Sequence, residues 1–222
     1  MQSISRSLVA LTLMLATASA NATLIDFIQL TQQAGGLGES AWNPLTLTFP
    51  DFTVSITGHA STDNDNTQFA YLDWGTAGLG VCQDTTSPNV SYSGSGTNRC
   101  SVSSDDNVTT GEWLEFVFDT DVTIDAFWFN NNHDGGFSAG DMVNIDNAAY
   151  PVALGYAGGA NGIGPFTVAK NTPITVAFNN EQFYVSGMAV HTVPEPGTLS
   201  LLGVGLAALG LVRRRVSSKS AR

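Results

Sequence analysis

Acidic and amide side chains are concentrated in two stretches of this 222-residue chain, where they supply the oxygen ligands that hard metal ions bind. The first stretch contains Asp105, Asp106 and Glu112, and the second is residues 130–134. Calcium takes about six to eight such oxygens, from carboxylates, carbonyls and water. Asp and Asn also form turns through hydrogen bonds to their own backbone, so a purely structural role stays open. If the protein has a cofactor, we expect calcium, with Asp105, Asp106 and Glu112 as the favoured ligands.

The residues that could carry catalysis do not form a motif. The three histidines, His59, His133 and His191, are isolated in sequence, whereas zinc sites typically use closely spaced pairs. Residues 94–96, Gly-Ser-Gly, are only a fragment of the turn that exposes a nucleophilic serine. Carboxylate pairs for glycoside hydrolysis can be chosen at will among so many acids, so they have no diagnostic value. We therefore expect no enzymatic activity.

The candidate side chains are predicted to be positioned by β-strands. Apolar and polar residues alternate strictly over 45–49 and 52–57, which is typical of half-buried strands. Residues 113–118 and 122–129 are predicted to form a central hairpin with apolar residues on both faces. Further strands are predicted over 24–30, 69–74, 142–145, 166–169, 174–178 and 183–190. We expect an all-β fold, an antiparallel β-sandwich or jelly roll, in one domain over residues 23–192.

The aromatic side chains of the central strands are expected to be mainly core residues. Trp42 and Trp74 lie outside those strands and are the better candidates for exposed stacking on a sugar.

Both ends of the chain have targeting features. Residues 1–22 combine an early cation, an apolar core and small residues, which is typical of a secretory signal peptide. Near the other end, two prolines at 194 and 196 cannot continue a strand, and the uncharged segment 199–212 follows. The basic residues behind that segment would keep its end in the cytoplasm. We expect one short transmembrane helix over 199–212 and a cytoplasmic tail over 216–222.

The two cysteines, Cys82 and Cys100, are the only ones in the chain. A cysteine pair in an exported domain meets an oxidising compartment and typically forms a disulfide. The residues between them are rich in Ser, Gly, Asn and Thr, and no third ligand stands at metal-binding spacing. We therefore predict a Cys82–Cys100 disulfide that closes this loop.

Charge is distributed unevenly along the chain. Residues 23–192 contain eighteen acids, and Arg99 and Lys170 are their only Lys or Arg residues. Such a surface repels a phosphate backbone, so we exclude nucleic acid as a partner. It suits solubility outside the cell, divalent cations or an uncharged polysaccharide.

The C-terminal segment resembles the PEP-CTERM sorting signal of Gram-negative bacteria, which joins a Val-Pro-Glu-Pro motif, a short Gly/Leu-rich span and an arginine cluster. The residues that carry this resemblance are Val193, Pro194, Glu195, Pro196, Gly197, Arg213, Arg214 and Arg215. It implies that an exosortase in the inner membrane recognises the signal, holds the protein there transiently and cuts near the motif. Residues 106–114 and 183–190 also look like the jelly-roll domains common in PEP-CTERM proteins, some of which are similar to carbohydrate-binding modules.

These observations lead to two main hypotheses. The first is an exported, non-enzymatic protein of the cell surface or extracellular matrix, associated with exopolysaccharide in biofilm or floc. The second is a calcium-assisted carbohydrate-binding module or adhesin. A secreted hydrolase is a third, weaker hypothesis.

Overall fold

The structure is a computed structural model that describes residues 22–32, 37–61, 68–85, 100, 106–193 and 205. The chain divides into two units, of which one spans Asn21–Val193 and the other comprises residues 1–20 and 194–222. The predicted signal peptide 1–22, the motif residues 194–197, the membrane segment 199–212, the arginine cluster and the tail 216–222 lie outside the described residues, apart from Ala22 and Gly205. None of the helices in the described ranges is long and apolar enough to cross a membrane.

In the described part of residues 22–193, the fold consists of thirteen strands and one short helix. In chain order they are β1 (Thr23–Asp26), α1 (Phe27–Gln32), β2 (Ser40–Trp42), β3 (Leu45–Thr48), β4 (Thr53–Ala60), β5 (Phe69–Asp73), β6 (Gly78–Cys82), β7 (Glu112–Phe118), β8 (Val122–Asn130), β9 (Met142–Ile145), β10 (Ala148–Pro151), β11 (Phe166–Val168), β12 (Pro173–Phe178) and β13 (Tyr184–Thr192).

The strands form two antiparallel sheets. The seven-stranded sheet has the order β11-β8-β13-β6-β5-β2, and β1 pairs with β13 beside it. The six-stranded sheet has the order β10-β9-β12-β7-β4-β3. Side chains of both sheets pack into one hydrophobic core, which makes the domain β-sandwich-like. The prediction of an all-β fold with antiparallel sheets is confirmed.

The predicted central hairpin is wrong. Strand β7 pairs with β4 and β12 in the six-stranded sheet, whereas β8 pairs with β13 and β11 in the seven-stranded sheet. Residues 119–121 therefore connect the two sheets instead of closing a hairpin. This arrangement lets the aromatic faces of both strands meet across the core, where the rings of Phe116 and Phe127 lie 5.4 Å apart. With β7 and β8 in facing sheets, their apolar side chains pack directly on each other and bury more apolar surface than they would as neighbouring strands of one sheet.

A β-bulge at Asp125 decides which side chains of β8 face the core. The pairing with β13 passes from Ala126 directly to Ile124, so Asp125 is the extra residue. Because of this shift, Phe127 and Phe129 join Ile124 in the core, while Trp128 packs outside it and donates its Nε1 hydrogen to Gly159 O at 3.0 Å. Uninterrupted alternation along 122–129 would instead place Ile124 and Trp128 on one face of the strand.

The start of the domain also differs from the prediction. Residues 24–30 were predicted as a strand, but β1 ends at Asp26 and α1 follows. Asp26 caps this helix, because its Oδ1 accepts a hydrogen bond from Gln29 N at 2.9 Å. A helix of six residues is too short to produce a periodic sequence pattern.

The predicted Cys82–Cys100 disulfide is present, with the two sulfur atoms 2.11 Å apart. Both cysteines are buried with Ala41 and Tyr71 in a small apolar cluster separate from the main core. The disulfide thus joins Cys82, the last residue of β6, to Cys100, which forms an isolated β-bridge with Thr85.

We predict that the double variant Cys82→Ala/Cys100→Ala loses about 3 kcal/mol of unfolding free energy, because the eighteen-residue separation makes the unfolded chain less constrained without the crosslink. Urea unfolding followed by tryptophan fluorescence measures this change. The wild type in reducing agent is the control and should lose the same amount. An unchanged midpoint in both samples would contradict a stabilising disulfide.

Candidate binding surface and acidic cluster

An acidic cluster forms where three distant parts of the chain meet. Asp73 ends β5, Asp106 precedes β7, and Asp134 lies in the loop after β8. Tyr184, the first residue of β13, donates its hydroxyl hydrogen to Asp106 Oδ1 at 2.6 Å. His133 Nδ1 lies 3.2 Å from Asp73 Oδ2, and its ring contacts that of Tyr184 edge-on. These five residues are the acidic cluster.

Close backbone packing brings Asp106 into the cluster. A side chain at Gly80 would place its Cβ 2.0 Å from Asp106 O, so only glycine lets the segment around Asp106 cross β6 at this distance. The next residue, Asn107, donates an Nδ2 hydrogen to Asp134 Oδ2 at 2.9 Å. The segment is then tied to β13 by hydrogen bonds between Val108 and Phe183.

The electrostatics of the cluster are dominated by burial. Desolvation and, after it, the nearby Asp106 raise the pKa of Asp73 to about 7, and His133 opposes the shift. Desolvation also raises the pKa of Asp106, although the hydrogen bond from Tyr184 favours its charged form. The pKa of Tyr184 is raised by burial and by its carboxylate partner, so the phenol stays a hydrogen-bond donor.

Two buried oxygens of this region lack a hydrogen bond among the described residues. They are Oδ1 of Asn107, which is 2 % exposed, and Oδ2 of Asp73, which is 7 % exposed and has His133 Nδ1 3.2 Å away as an ion-pair neighbour instead. Buried polar atoms are normally paired, because an unpaired one loses its hydration without compensation. The cluster therefore has spare capacity to accept hydrogen bonds or a cation.

A surface with two exposed aromatic side chains lies beside the cluster. Trp74 is 61 % exposed and Tyr156 is 46 % exposed. His133 Nε2 lies 3.1 Å from the carbonyl oxygen of Gly75, the residue after Trp74. Asn132 donates an Nδ2 hydrogen to the Tyr156 hydroxyl at 2.8 Å. We call this the Trp74–Tyr156 surface and define it as Trp74, Asn132, His133, Asp134 and Tyr156.

Of the three predicted calcium ligands, the structure describes Asp106 and Glu112, and these two have different hydrogen-bond partners. Asp105 lies outside the described residues, and Asp106 belongs to the acidic cluster. Glu112 accepts hydrogen bonds from Gln83 Nε2 at 2.8 Å and from Thr109 N at 2.7 Å, which is a structural use of both oxygens. Within the described ranges, no three His, Cys, Asp or Glu side chains are grouped as a metal site. Calcium binding stays a prediction.

The sequence identified part of this region. Trp74 is exposed, as suits a stacking residue, but Trp42 is half-buried and packs on the core. The other two histidines lie elsewhere, since His59 stacks on Trp113 and His191 pairs with Asp125.

Three residues of this region, Asp73, Tyr156 and Tyr184, were missed by the sequence analysis. For Tyr156, the available signal was an aromatic residue within the glycine-rich stretch 155–159. For Asp73 and Tyr184, only the fold shows that they belong to the acidic cluster.

Two antiparallel sheets around one core define an all-β, β-sandwich-like protein. The chain carries a PEP-CTERM protein-sorting motif at residues 192–215, which confirms the resemblance seen in the sequence. The motif indicates an exported protein that is processed by an exosortase and passes through the membrane transiently on its way to the cell surface. Comparisons of the chain with curated proteins and with solved structures gave no match.

We predict that Asp73→Asn changes how stability depends on pH. The folded-state pKa of Asp73, about 7, lies above the ordinary value of 3.8, so the folded protein holds a proton that the unfolded chain releases. Wild-type stability should therefore fall as pH rises from about 4 to 7, by at most about 1.4 kcal/mol per pH unit from this group. The variant should lose that slope and gain stability relative to wild type at pH 7.

The measurement is urea unfolding at several pH values in buffer free of divalent cations. Asp51→Asn, at an exposed position outside the cluster, is the matched control and should keep the wild-type slope. Identical slopes for wild type and Asp73→Asn would contradict the assigned burial effect.

Proposed function

We propose that this protein is a non-enzymatic component of the cell surface or extracellular matrix, delivered there by exosortase processing and associated with exopolysaccharide. The observation that carries the proposal is the position of the sorting motif, which begins at the last residue of β13, Thr192. Sorting therefore acts on the end of a finished domain.

Cleavage near the motif leaves the domain whole. Strand β13 pairs with β8 along its length and with β1 on the other side, and Val193 N donates to Asp121 O at 2.9 Å. The thirteen strands of the described residues lie before the motif's prolines, so a cut near residues 194–197 removes none of them. A protein built in this way can be released without losing stability.

The terminal segments complete the proposal. We propose that residues 1–22 direct export, that 199–212 hold the protein in the inner membrane until processing, and that Arg213, Arg214 and Arg215 fix the cytoplasmic end.

The polysaccharide part of the proposal is supported by the surface chemistry of the domain. Eighteen acids against two Lys or Arg in residues 23–192 favour solubility outside the cell. The exposed Trp74 and Tyr156 offer stacking area to a sugar. The lack of a catalytic motif in the sequence favours a binding or structural role over an enzymatic one.

We predict that the protein recovered from the medium or cell surface ends near residues 194–197, whereas a strain lacking the exosortase accumulates the unprocessed form in its membranes. Intact-protein mass analysis of both fractions measures this. The variant Pro194→Ala/Pro196→Ala should also accumulate unprocessed, while Pro151→Ala, at an exposed position in β10, should be processed normally.

A full-length protein in the membranes of both strains would contradict the sorting role. If processing occurs but deletion of the protein leaves surface polysaccharide and cell aggregation unchanged, the matrix role fails while the sorting role stands.

Calcium-assisted carbohydrate binding is a second candidate function. The observation that supports it is the acidic cluster, where Asp106 interacts electrostatically with Asp73 and Asp134, and where Asn107 Oδ1 has no hydrogen-bond partner among the described residues. A bound cation would relieve the repulsion between these carboxylates.

We predict for this candidate that calcium raises the melting temperature, because a ligand at one hundred times its Kd stabilises the folded state by about 2.7 kcal/mol. Thermal unfolding in calcium, magnesium or chelator measures the shift. Asp106→Asn should abolish the shift and Asp51→Asn should keep it. A melting temperature equal in calcium and chelator would rule the candidate out.

A further inference from the structure

We propose that the Trp74–Tyr156 surface is the site where this protein binds polysaccharide, and that the chain it binds is uncharged. This inference rests on the proposed association with exopolysaccharide and adds the location and the chemical class of the ligand. Four observations carry it. They are the exposure of the two aromatic residues, the polar groups on the same surface, the hydrogen bonds that hold the loop after β8 and the turn after Trp74, and the local charge.

The aromatic exposure is concentrated at this place. The large apolar side chains exposed among the described residues are Leu24, Trp74, Leu154, Tyr156 and Val193, and the two aromatic members are both on this surface. Most other aromatic rings are buried in the core. An indole and a phenol in water can each cover the apolar face of a pyranose ring, because each presents a broad flat surface with a polar edge.

Polar groups with unused capacity belong to the same surface as the two aromatic residues. Asn132, His133 and Asp134 are consecutive and exposed. Asn132 uses Nδ2 for the Tyr156 hydroxyl, and Asp134 uses Oδ2 for Asn107, so one side-chain oxygen of each has no partner among the described residues. Sugar hydroxyls donate hydrogen bonds to such oxygens. A few placed polar groups beside apolar area are what a binding site needs for orientation.

The loops that carry these groups are held in place before any ligand arrives. Asn130 donates an Nδ2 hydrogen to Ala77 O, which ties the loop after β8 to the turn that carries Trp74. Within the loop, Gly136 N donates to Asn131 O at 2.8 Å, and Gly136 has a positive φ of 79° that favours glycine. Less conformational entropy is lost on binding when the site is already ordered.

Charge selects the class of polysaccharide. Asp134 is part of this surface, and Asp73 Oδ2 lies 3.2 Å from Nδ1 of its His133. Among the described residues, His133 is the basic side chain that interacts with the carboxylates of the acidic cluster. Lys170, the Lys residue of the domain, is placed far away, with its backbone N bonded to Asp121 Oδ1 near the opposite end of β8. An acidic polysaccharide would be repelled, so an uncharged chain fits this surface.

The test uses the processed protein recovered from the producing cells, with affinity electrophoresis in gels that contain one polysaccharide each. The uncharged probes are dextran, galactomannan, hydroxyethyl cellulose and the host's own polysaccharide if uncharged, and the acidic probes are alginate and hyaluronate. The variants are Trp74→Ala, Tyr156→Ala and the conservative Trp74→Phe. The matched control is Trp113→Ala, a tryptophan of the six-stranded sheet that stacks on His59.

We expect at least one uncharged polysaccharide to retard the wild type and neither acidic probe to do so. Trp74→Ala should weaken that binding at least tenfold, Tyr156→Ala several-fold, and Trp74→Phe less than Trp74→Ala, while Trp113→Ala should bind as the wild type does. Because Trp74 and Tyr156 are exposed, the variants at these two positions should keep the wild-type melting temperature.

The outcomes separate this inference from the proposed function. If the wild type binds a polysaccharide but the Trp74 and Tyr156 variants bind equally well, the surface is wrong and the association with polysaccharide stands. Binding to the acidic probes alone would overturn the assigned ligand class. If no polysaccharide is bound, including the host's own, both the surface and the polysaccharide part of the proposed function fail.

Discussion

The burial of phenylalanine rings between two sheets is the constraint on which the rest of the structure depends. Phe116 and Phe118 come from β7, and Phe127 and Phe129 come from β8, with all four fully buried. Each buried side chain of this size contributes roughly 2–3 kcal/mol. The chain satisfies this constraint by crossing between the sheets at residues 119–121 and by inserting a bulge at Asp125, and the Trp128 side chain is placed outside the core as a result.

The acidic cluster shows the opposite balance, since carboxylates are buried there with little compensation. Tyr184 supplies a hydrogen bond to Asp106, whereas the contacts of Asp73 with His133 and with the backbone of Trp74 do not offset its burial, and its pKa stays raised. Such an arrangement lowers the stability of the empty domain at neutral pH. Buried carboxyl groups with raised pKa values are more typical of functional sites than of regions that serve stability alone.

Local sequence patterns predicted the strands better than their partners. Alternation identified β3, β4, β9 and β12 closely, because their side chains face core and solvent in turn. It missed β6, where all five residues are buried, and it could not show the bulge at Asp125 or the sheet change after β7. These depend on contacts between distant segments, which a local period does not record.

The same reason limits what the sequence shows of the candidate site. Asp106, His133, Asp134 and Trp74 were recognised one at a time from residue type. Their assembly depends on the close approach of Asp106 to Gly80 and on the hydrogen bond from Tyr184, which is 78 residues away in the chain.

The strand that provides Tyr184 has a mechanical consequence. Its first residue, Tyr184, belongs to the acidic cluster, and its last, Thr192, is the first residue of the sorting motif, roughly 26 Å away along β13. A pull between a held polysaccharide and a membrane-bound C-terminus would therefore run along this strand and load its hydrogen bonds to β8 and β1 in shear, together rather than one by one.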